Sequence, residues 1–264
     1  MQGISEFPVG EGKRPSIVVT IPAFNEAQRL PVFLNTLLPA LNDLQGVAAI
    51  RVQVVDDGSR EEEKAHYRAA IQQREKQYPA LSLSLLELPQ NVGKGGAILA
   101  GWRSVAPADY YVFVDSDGAV PATEVRRLIQ KALQREEPVS LFASRVKMLG
   151  KTIERTRLRH LSGRLFASLV GCYINPDVYD SQCGLKVVPG VHFQRMDKYL
   201  TGNRFAFDVE LLAAASAHAL KIEEVPIDWN DVPGSKVNLL RDTARMARSV
   251  YAIHRLISTG YYNR

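Results

Sequence analysis

The chain has 264 residues, 46% hydrophobic and 23% charged, which fits one large or two small soluble domains at roughly 100–200 residues each and leaves ample material for a core. No stretch approaches the roughly 18 apolar residues of a spanning helix, the opening "MQGISEFPVGEGKRPS" lacks a signal-peptide core, and two cysteines, Cys172 and Cys183, fit no metal or redox spacing and point to a reduced cytoplasmic setting. The net charge of +5 is local, since seven basic residues face one acid, Glu154, between Arg145 and Gly171; such a patch suits a phosphate or an anionic lipid surface, and no nucleic-acid partner is expected.

Residues 1–15 read as a flexible arm. "SIVVTI" from Ser16 is apolar and β-branched and predicts the first strand, which Pro22 should stop because it has no N–H to donate. "PVFLNTLLPALNDL" follows with helical spacing. Between them, "IPAFNE" places Asn25 and Glu26 in a strand-to-helix turn, where Asn25 also suits a helix N-cap. "RVQVVDD" from Arg51 is a second strand ending in Asp56 and Asp57. An Asp-Gly turn needs only one of these acids. A polar helix, "REEEKAHYRAAIQQREKQY", and a third strand, "LSLSLLEL" from Leu81, come next. "NVGKGGAILAGWRSV" then opens a helix with glycines that let backbone N–H groups approach a phosphate, with Lys94 to add charge. A tight turn with an exposed lysine accounts for it equally well.

"YYVFVDSDGAVPATEV" begins at Tyr110. It predicts a buried strand ending in Asp115 and Asp117, then a helix from about Ala122 to Gln134 and a strand "VSLFAS" from Val139. Carboxylates at i and i+2 of an extended strand point the same way and repel unless a cation lies near them. Hard cations such as Mg²⁺ and Mn²⁺ bind through one or two carboxylates plus substrate phosphates. "DSD" therefore reads as a metal bridge to a diphosphate. The βαβα order predicts a mostly parallel sheet with helices on both faces and a ligand at the strands' carboxyl ends.

The second half is less regular. A basic helix is predicted over about Glu154 to Val170, then a loop "YINPDVYDSQCG", a short strand "LKVV", a helix "FDVELLAAASAHAL", a strand "KIEEVPIDW", and a last helix from Asn238 to Ser258. In that helix Leu239, Thr243, Met246, Val250, Ile253 and Ile257 form one stripe. Arg241, Arg245, Arg248 and Arg255 fall opposite. The stripe either packs on the core or joins the basic patch as a surface for anionic lipid headgroups, at about 1 kcal/mol per basic residue. The five histidines are scattered, so no zinc site is expected. Trp102 and Trp229 read as core or pocket wall, and Cys183 as a packing residue.

"IPAFNE", "VVDDGS", "NVGKGGA" and "VDSDGA", in this order and spacing, resemble the inverting family 2 glycosyltransferases. "DSQCGLK" from Asp180, "NRFAFDVELL" from Asn203 and "GSKV" from Gly234 narrow the resemblance to the dolichyl-phosphate β-glucosyltransferase and polyprenyl-phosphate glycosyltransferase branch, over about Ser16 to Val237. The N-terminal anchor of the eukaryotic enzymes and the C-terminal spanning helices of some bacterial ones have no counterpart in the sequence. The resemblance implies an α/β GT-A fold: one Rossmann-like, mostly parallel sheet flanked by helices. It is expected as a single domain over 16–264, with a nucleotide-sugar half (16–145) and an acceptor half (146–264).

The resemblance further implies a hexose, glucose from UDP-glucose in the first instance, moved from a UDP- or GDP-sugar to a polyprenyl or dolichyl phosphate with Mg²⁺ or Mn²⁺. Pro22, Ala23, Asn25 and Glu26 would line the nucleotide pocket, and Asp56 or Asp57 would read the base. Asp115 and Asp117 would be the metal-binding pair, with Asp117 the direct ligand and Ser116 near the ribose. Lys94, Arg145 and Lys236 would face the diphosphate, and Arg155 and Arg159 the acceptor; arginine's planar fork suits phosphate. Asp180 is the first candidate for a base or acceptor-orienting group and Asp208 the second, although each could instead cap a turn or helix. The implied location is cytoplasmic, with peripheral contact to an anionic membrane face, and the oligomeric state stays open. The same chemistry on a water-soluble or glycan acceptor is the alternative. "VFVDSDGAV" also resembles the haloacid-dehalogenase phosphatase signature, but there the motif opens the fold, and here three strands precede it.

Overall fold

The structure is a computed structural model that describes residues 14–146, 168–202, 206–230, 232 and 239–263. Seven strands form one sheet. They are β1 (Ser16–Ala23), β2 (Ala49–Asp56), β3 (Ser82–Glu87), β4 (Tyr110–Val114), β5 (Ser140–Ser144), β6 (Leu185–Pro189) and β7 (Ile222–Pro226), in the spatial order β3-β2-β1-β4-β6-β5-β7. All neighbours are parallel except at β6, which runs antiparallel to both β4 and β5. Sheet and helices give the mostly parallel α/β architecture that the sequence predicts.

The helices are α1 (Leu30–Asn42), α2 (Glu61–Gln77), α3 (Lys94–Arg103), α4 (Ala122–Leu133), α5 (Gly190–Met196), α6 (Phe207–Ala217) and α7 (Leu239–Ser258); residues 168–173 are also helical, and the rest of the helix predicted from about Glu154 lies outside the described residues. The period of two along each strand sorts side chains between two cores. Ile17, Val19 and Ile21 of β1 with Val112 and Val114 of β4 pack under α1, α2 and α4. Val18, Tyr111 and Phe113 pack under α3, α5, α6 and α7. Each fully buried side chain of this size contributes roughly 1.5–3 kcal/mol. Strands buried on both faces explain why these segments are apolar runs rather than alternating ones. Trp102 belongs to the second core, against Tyr111, Phe193 and Phe207.

Two expectations need correction, and a third, left open between core and lipid, is decided where side chains are described. Pro22 does not stop β1, which pairs with β2 as far as Ala23↔Asp56. The Ala23 carbonyl faces β2, where it accepts from Asp57 N–H, so Pro22 faces β4. Pairing on that side ends at Thr20↔Phe113, and no donor is missed. Second, β4 stops at Val114, so Asp115 and Asp117 are not on the strand. The chain turns at Ser116 and Asp117, and Gly118 follows at φ +75°. Third, the C-terminal helix uses its stripe for packing where side chains are described: Val250 and Ile253 are buried in the second core, and Ile257 packs against it. Arg248 and Arg255 are exposed. The short helix α5 carries no motif and was not predicted. Among the described residues no helix is long and apolar enough to cross a membrane.

Candidate active site

The parallel strands deliver their carboxyl ends to one edge of the sheet, and the antiparallel β6 delivers its amino end there. This edge gathers Pro22 to Glu26, Asp56, Asp57, Lys94, Asp115 to Asp117, Arg145 and Gly184. Lys236, Arg155 and Arg159, together with most of the basic patch, lie outside the described residues.

Asn25 has a left-handed backbone, φ +53°, which asparagine tolerates better than most residues. It does not cap α1, whose N-cap is Arg29. Its N–H donates to Ser59 Oγ at 2.9 Å, and its Oδ1 accepts from Arg60 N–H at 3.2 Å, so it ties the first turn to the second. Glu26 donates its N–H to Tyr67 Oη at 2.6 Å, and its carboxylate is forked on Arg29.

The two acids of "VVDDGS" part ways. Asp57 spends its carboxylate on the loop before α3, accepting from Val92 N–H at 2.7 Å, Gly93 N–H at 2.9 Å and Asn91 Nδ2 at 2.9 Å. Asp56 is fully buried; its Oδ1 accepts from Ser59 N–H, and its Oδ2 has no protein partner. An orphaned buried carboxylate oxygen is costly. Of the pair, Asp56 therefore keeps capacity for a ligand.

Lys94 is the first residue of α3, and Gly93 before it takes φ +87°. Its Nζ lies 2.8 Å from Asp115 Oδ1 and 3.7 Å from Asp208 Oδ2. Burial pulls its pKa down, but the two carboxylates outweigh burial and hold the ammonium well above the ordinary lysine range. Asp208, in the first turn of α6, is also buried. Burial pushes its pKa up, and Lys186 and Lys94 more than reverse this, so it is held below the carboxylate range. Lys186 was not singled out in the sequence. It is fully buried in β6, donating to Asp208 Oδ1 at 2.6 Å and to the Cys183 carbonyl at 3.0 Å. The rings of Phe113 and Phe142 lie 5.1 and 5.0 Å from its Nζ.

Asp115 sits on a bare Cα. A methyl on Gly184 would fall 2.1 Å from Asp115 Oδ2, and Asp115 N–H donates to the Gly184 carbonyl at 2.9 Å. Asp117 Oδ1 accepts from Ala119 N–H at 3.0 Å. Burial, and then the charge of Asp115, raise the pKa of Asp117 above the usual carboxylate range. The pair is thus short of positive charge, and its oxygens suit a hard divalent cation. Among the described residues no three His, Cys, Asp or Glu side chains are grouped to hold a metal by themselves. That fits an ion that completes its shell with phosphate oxygens and water. Ser116 between them is buried.

Asp180, the first candidate base, is locked to Arg145. Its Oδ2 accepts from Arg145 Nε at 2.7 Å and from the Arg145 N–H at 2.8 Å, and its Oδ1 accepts from Nη2 at 2.8 Å. The guanidinium stands 5.8 Å from the ring of Trp229. Asp208 is committed to its two lysines. Both carboxylates considered as bases are thus engaged by cations, which suits them to anchoring charge rather than to taking up a proton.

The family model Glycosyl transferase family 2 matches residues 18–189. The dolichyl-phosphate beta-glucosyltransferase of Saccharomyces cerevisiae is 29% identical over 92% of this chain and 75% of its own length. The human protein of that name is 30% identical over 92% and 76%. Glucosyl-3-phosphoglycerate synthase of Mycobacterium tuberculosis, solved with Mn²⁺, UDP-glucose and phosphoglyceric acid, shares the fold at a TM-score of 0.65 and 17% identity, over 91% of this chain and 78% of that one. A sheet in which three strands precede the strand that leads into "DSDG", and this family, set aside the phosphatase reading. The chain is a hexosyltransferase of the GT-A fold and belongs to glycosyl transferase family 2.

Proposed function

We propose that the protein transfers glucose from UDP-glucose, with inversion, to a polyprenyl or dolichyl phosphate at a membrane surface, and that a divalent cation takes part. The observation that carries the acceptor class is the state of the two acidic candidates: Asp180 is forked on Arg145, and Asp208 lies between Lys186 and Lys94. A hydroxyl acceptor needs a general base. A phosphate monoester arrives as an anion and needs none. Relatives at 29–30% identity named for dolichyl phosphate point the same way.

On this reading Asp56, through its unpartnered Oδ2, accepts from the base of the nucleotide. Asp57 shapes the Gly93–Lys94 loop beneath the diphosphate. Asp115 and Asp117 would hold Mg²⁺ or Mn²⁺, which offsets charge on the departing nucleoside diphosphate. Lys94 contributes fixed positive charge to the same group. Arg145, oriented by Asp180 and backed by Trp229, faces the donor diphosphate, and Arg155 and Arg159 are assigned to the acceptor by resemblance. Lys236 closes on the donor by the same argument. Peripheral attachment to an anionic cytoplasmic leaflet rests on the basic segment 145–164, because the described part of the α7 stripe is used in packing.

The test is nucleotide release from a panel of UDP- and GDP-sugars with Mn²⁺ or Mg²⁺, with and without polyprenyl phosphate. UDP-glucose with the lipid phosphate should be the productive pair. Salt-sensitive sedimentation with anionic but not neutral liposomes is expected alongside. Turnover on a water-soluble phosphorylated acceptor alone, the second reading, would retire the lipid.

A further inference from the structure

Lys94 has two carboxylate neighbours, and only one belongs to the pair assigned to the cation. Its Nζ is hydrogen-bonded to Asp115 Oδ1 at 2.8 Å and stands 3.7 Å from Asp208 Oδ2. Lys186 occupies the other oxygen of Asp208 at 2.6 Å, which leaves Oδ2 for Lys94. The ring of Phe113 lies 5.1 Å from both ammonium groups, so the two lysines share one aromatic neighbour. The two lysines and two aspartates cancel in charge, and Asp117 remains in excess beside them. A divalent cation arriving at Asp115 and Asp117 meets an ammonium already bonded to one of its ligands. Two cations cannot share that oxygen at contact distance without strong repulsion. A second carboxylate, within a short swing of the same flexible stem, is already in place.

We propose that Lys94 is a tethered counter-ion of Asp115, which it yields to the divalent cation by moving onto Asp208 and the donor diphosphate. This rests on the metal reading given above. It assigns Lys94 a role before the donor binds: it satisfies Asp115 while the cation is absent and makes the cation bind poorly on its own. The nucleoside diphosphate then offers Lys94 a better partner than Asp115. Cation and nucleotide should consequently favour each other, by the same factor in either order.

The test is Mn²⁺ binding without turnover, read from the electron paramagnetic resonance signal of free Mn²⁺, with and without UDP. Lys94→Met should bind Mn²⁺ alone about tenfold more tightly than wild type, within the usual range of site-to-site coupling. UDP should then strengthen Mn²⁺ binding less than it does in wild type. Lys94→Gln should behave alike and serves if the methionine variant is poorly folded. Arg29→Met removes a positive charge whose field also reaches Asp117 but which pairs with Glu26, and so measures the effect of net charge alone. Tightening in Lys94→Met no greater than in Arg29→Met overturns the counter-ion exchange. Asp117→Asn separates the two claims, for if it binds Mn²⁺ as well as wild type the metal reading itself fails.

Discussion

Gly184→Ala is the smallest change that reaches the Asp115 carboxylate from the facing strand. The added methyl would lie 2.1 Å from Oδ2 and 2.5 Å from the carboxyl carbon of Asp115, where ordinary contact begins at 3.4 Å. The two groups must separate by more than an ångström. The backbone is poorly able to supply that movement. Asp115 N–H is bonded to the Gly184 carbonyl, and the next pair, Val114↔Leu185, is already in the β4–β6 ladder. The carboxylate rotates instead, leaving Lys94 and the position it shares with Asp117. Displacement of a positioning group by about 1 Å costs about 100-fold in rate, while overpacking costs about 1–3 kcal/mol, less than the usual stability of a domain. The variant should fold, melt a few degrees lower, and lose about two orders of magnitude in nucleotide release. Calorimetry with UDP in the absence of metal should change little, since the perturbed group faces the cation. Wild-type turnover in Gly184→Ala would refute the claim that the bare Cα sets the position of Asp115.

Asp117→Ala should abolish transfer without unfolding the chain, because it removes an acid whose pKa is raised by burial and by Asp115; EDTA should do the same to wild type, and persistent turnover in nucleotide-release assays would contradict the metal assignment. Lys186→Met leaves Asp208 charged and buried, so denaturant unfolding should show a loss of about 3–5 kcal/mol, while the double variant Lys186→Met/Asp208→Leu should recover most of it. Asp180→Asn breaks the fork on Arg145, a charge-assisted pair of about 1.5–3 kcal/mol, and should lower turnover by roughly 10–100-fold. Its UDP affinity should hold; a large loss in calorimetry would move Asp180 to the donor side.

The strands were legible because burial on both sheet faces writes them as apolar runs ended by turn residues, and the acids at those ends marked the edge where the site lies. What stayed hidden depends on partners distant in sequence. A lysine in "LKVV" reads as the polar member of an alternating strand, and only the packed structure shows Lys186 enclosed by Phe113, Phe142 and Asp208. Asp180 and Asp208 read as candidate bases or caps because their cations come from distant segments: Arg145 just after β5, Lys186 in β6 and Lys94 in α3. The choice between Asp56 and Asp57 could not be made locally, since what uses up Asp57 is the loop over 91–93. The extended geometry assumed for "DSD" failed because β4 ends at Val114, before either carboxylate. The α7 stripe fitted core and membrane equally by period, and where side chains are described Val250 and Ile253 pack in the core.

The strand order has a consequence for how the chain is made. β5 is buried at all five positions, yet both of its sheet neighbours, β6 and β7, come later in the chain. Roughly 40 residues must be added after Ser144 before β6 begins, which at about 5–20 residues per second takes about 2–8 s. Throughout that interval an apolar segment with two open edges waits beside a nascent sheet that cannot yet accept it, since β4 pairs with β6 and not with β5. Unpaired edges of this kind are where chains associate wrongly. The order of synthesis thus leaves β5 without either of its sheet partners until β6 and then β7 have been made.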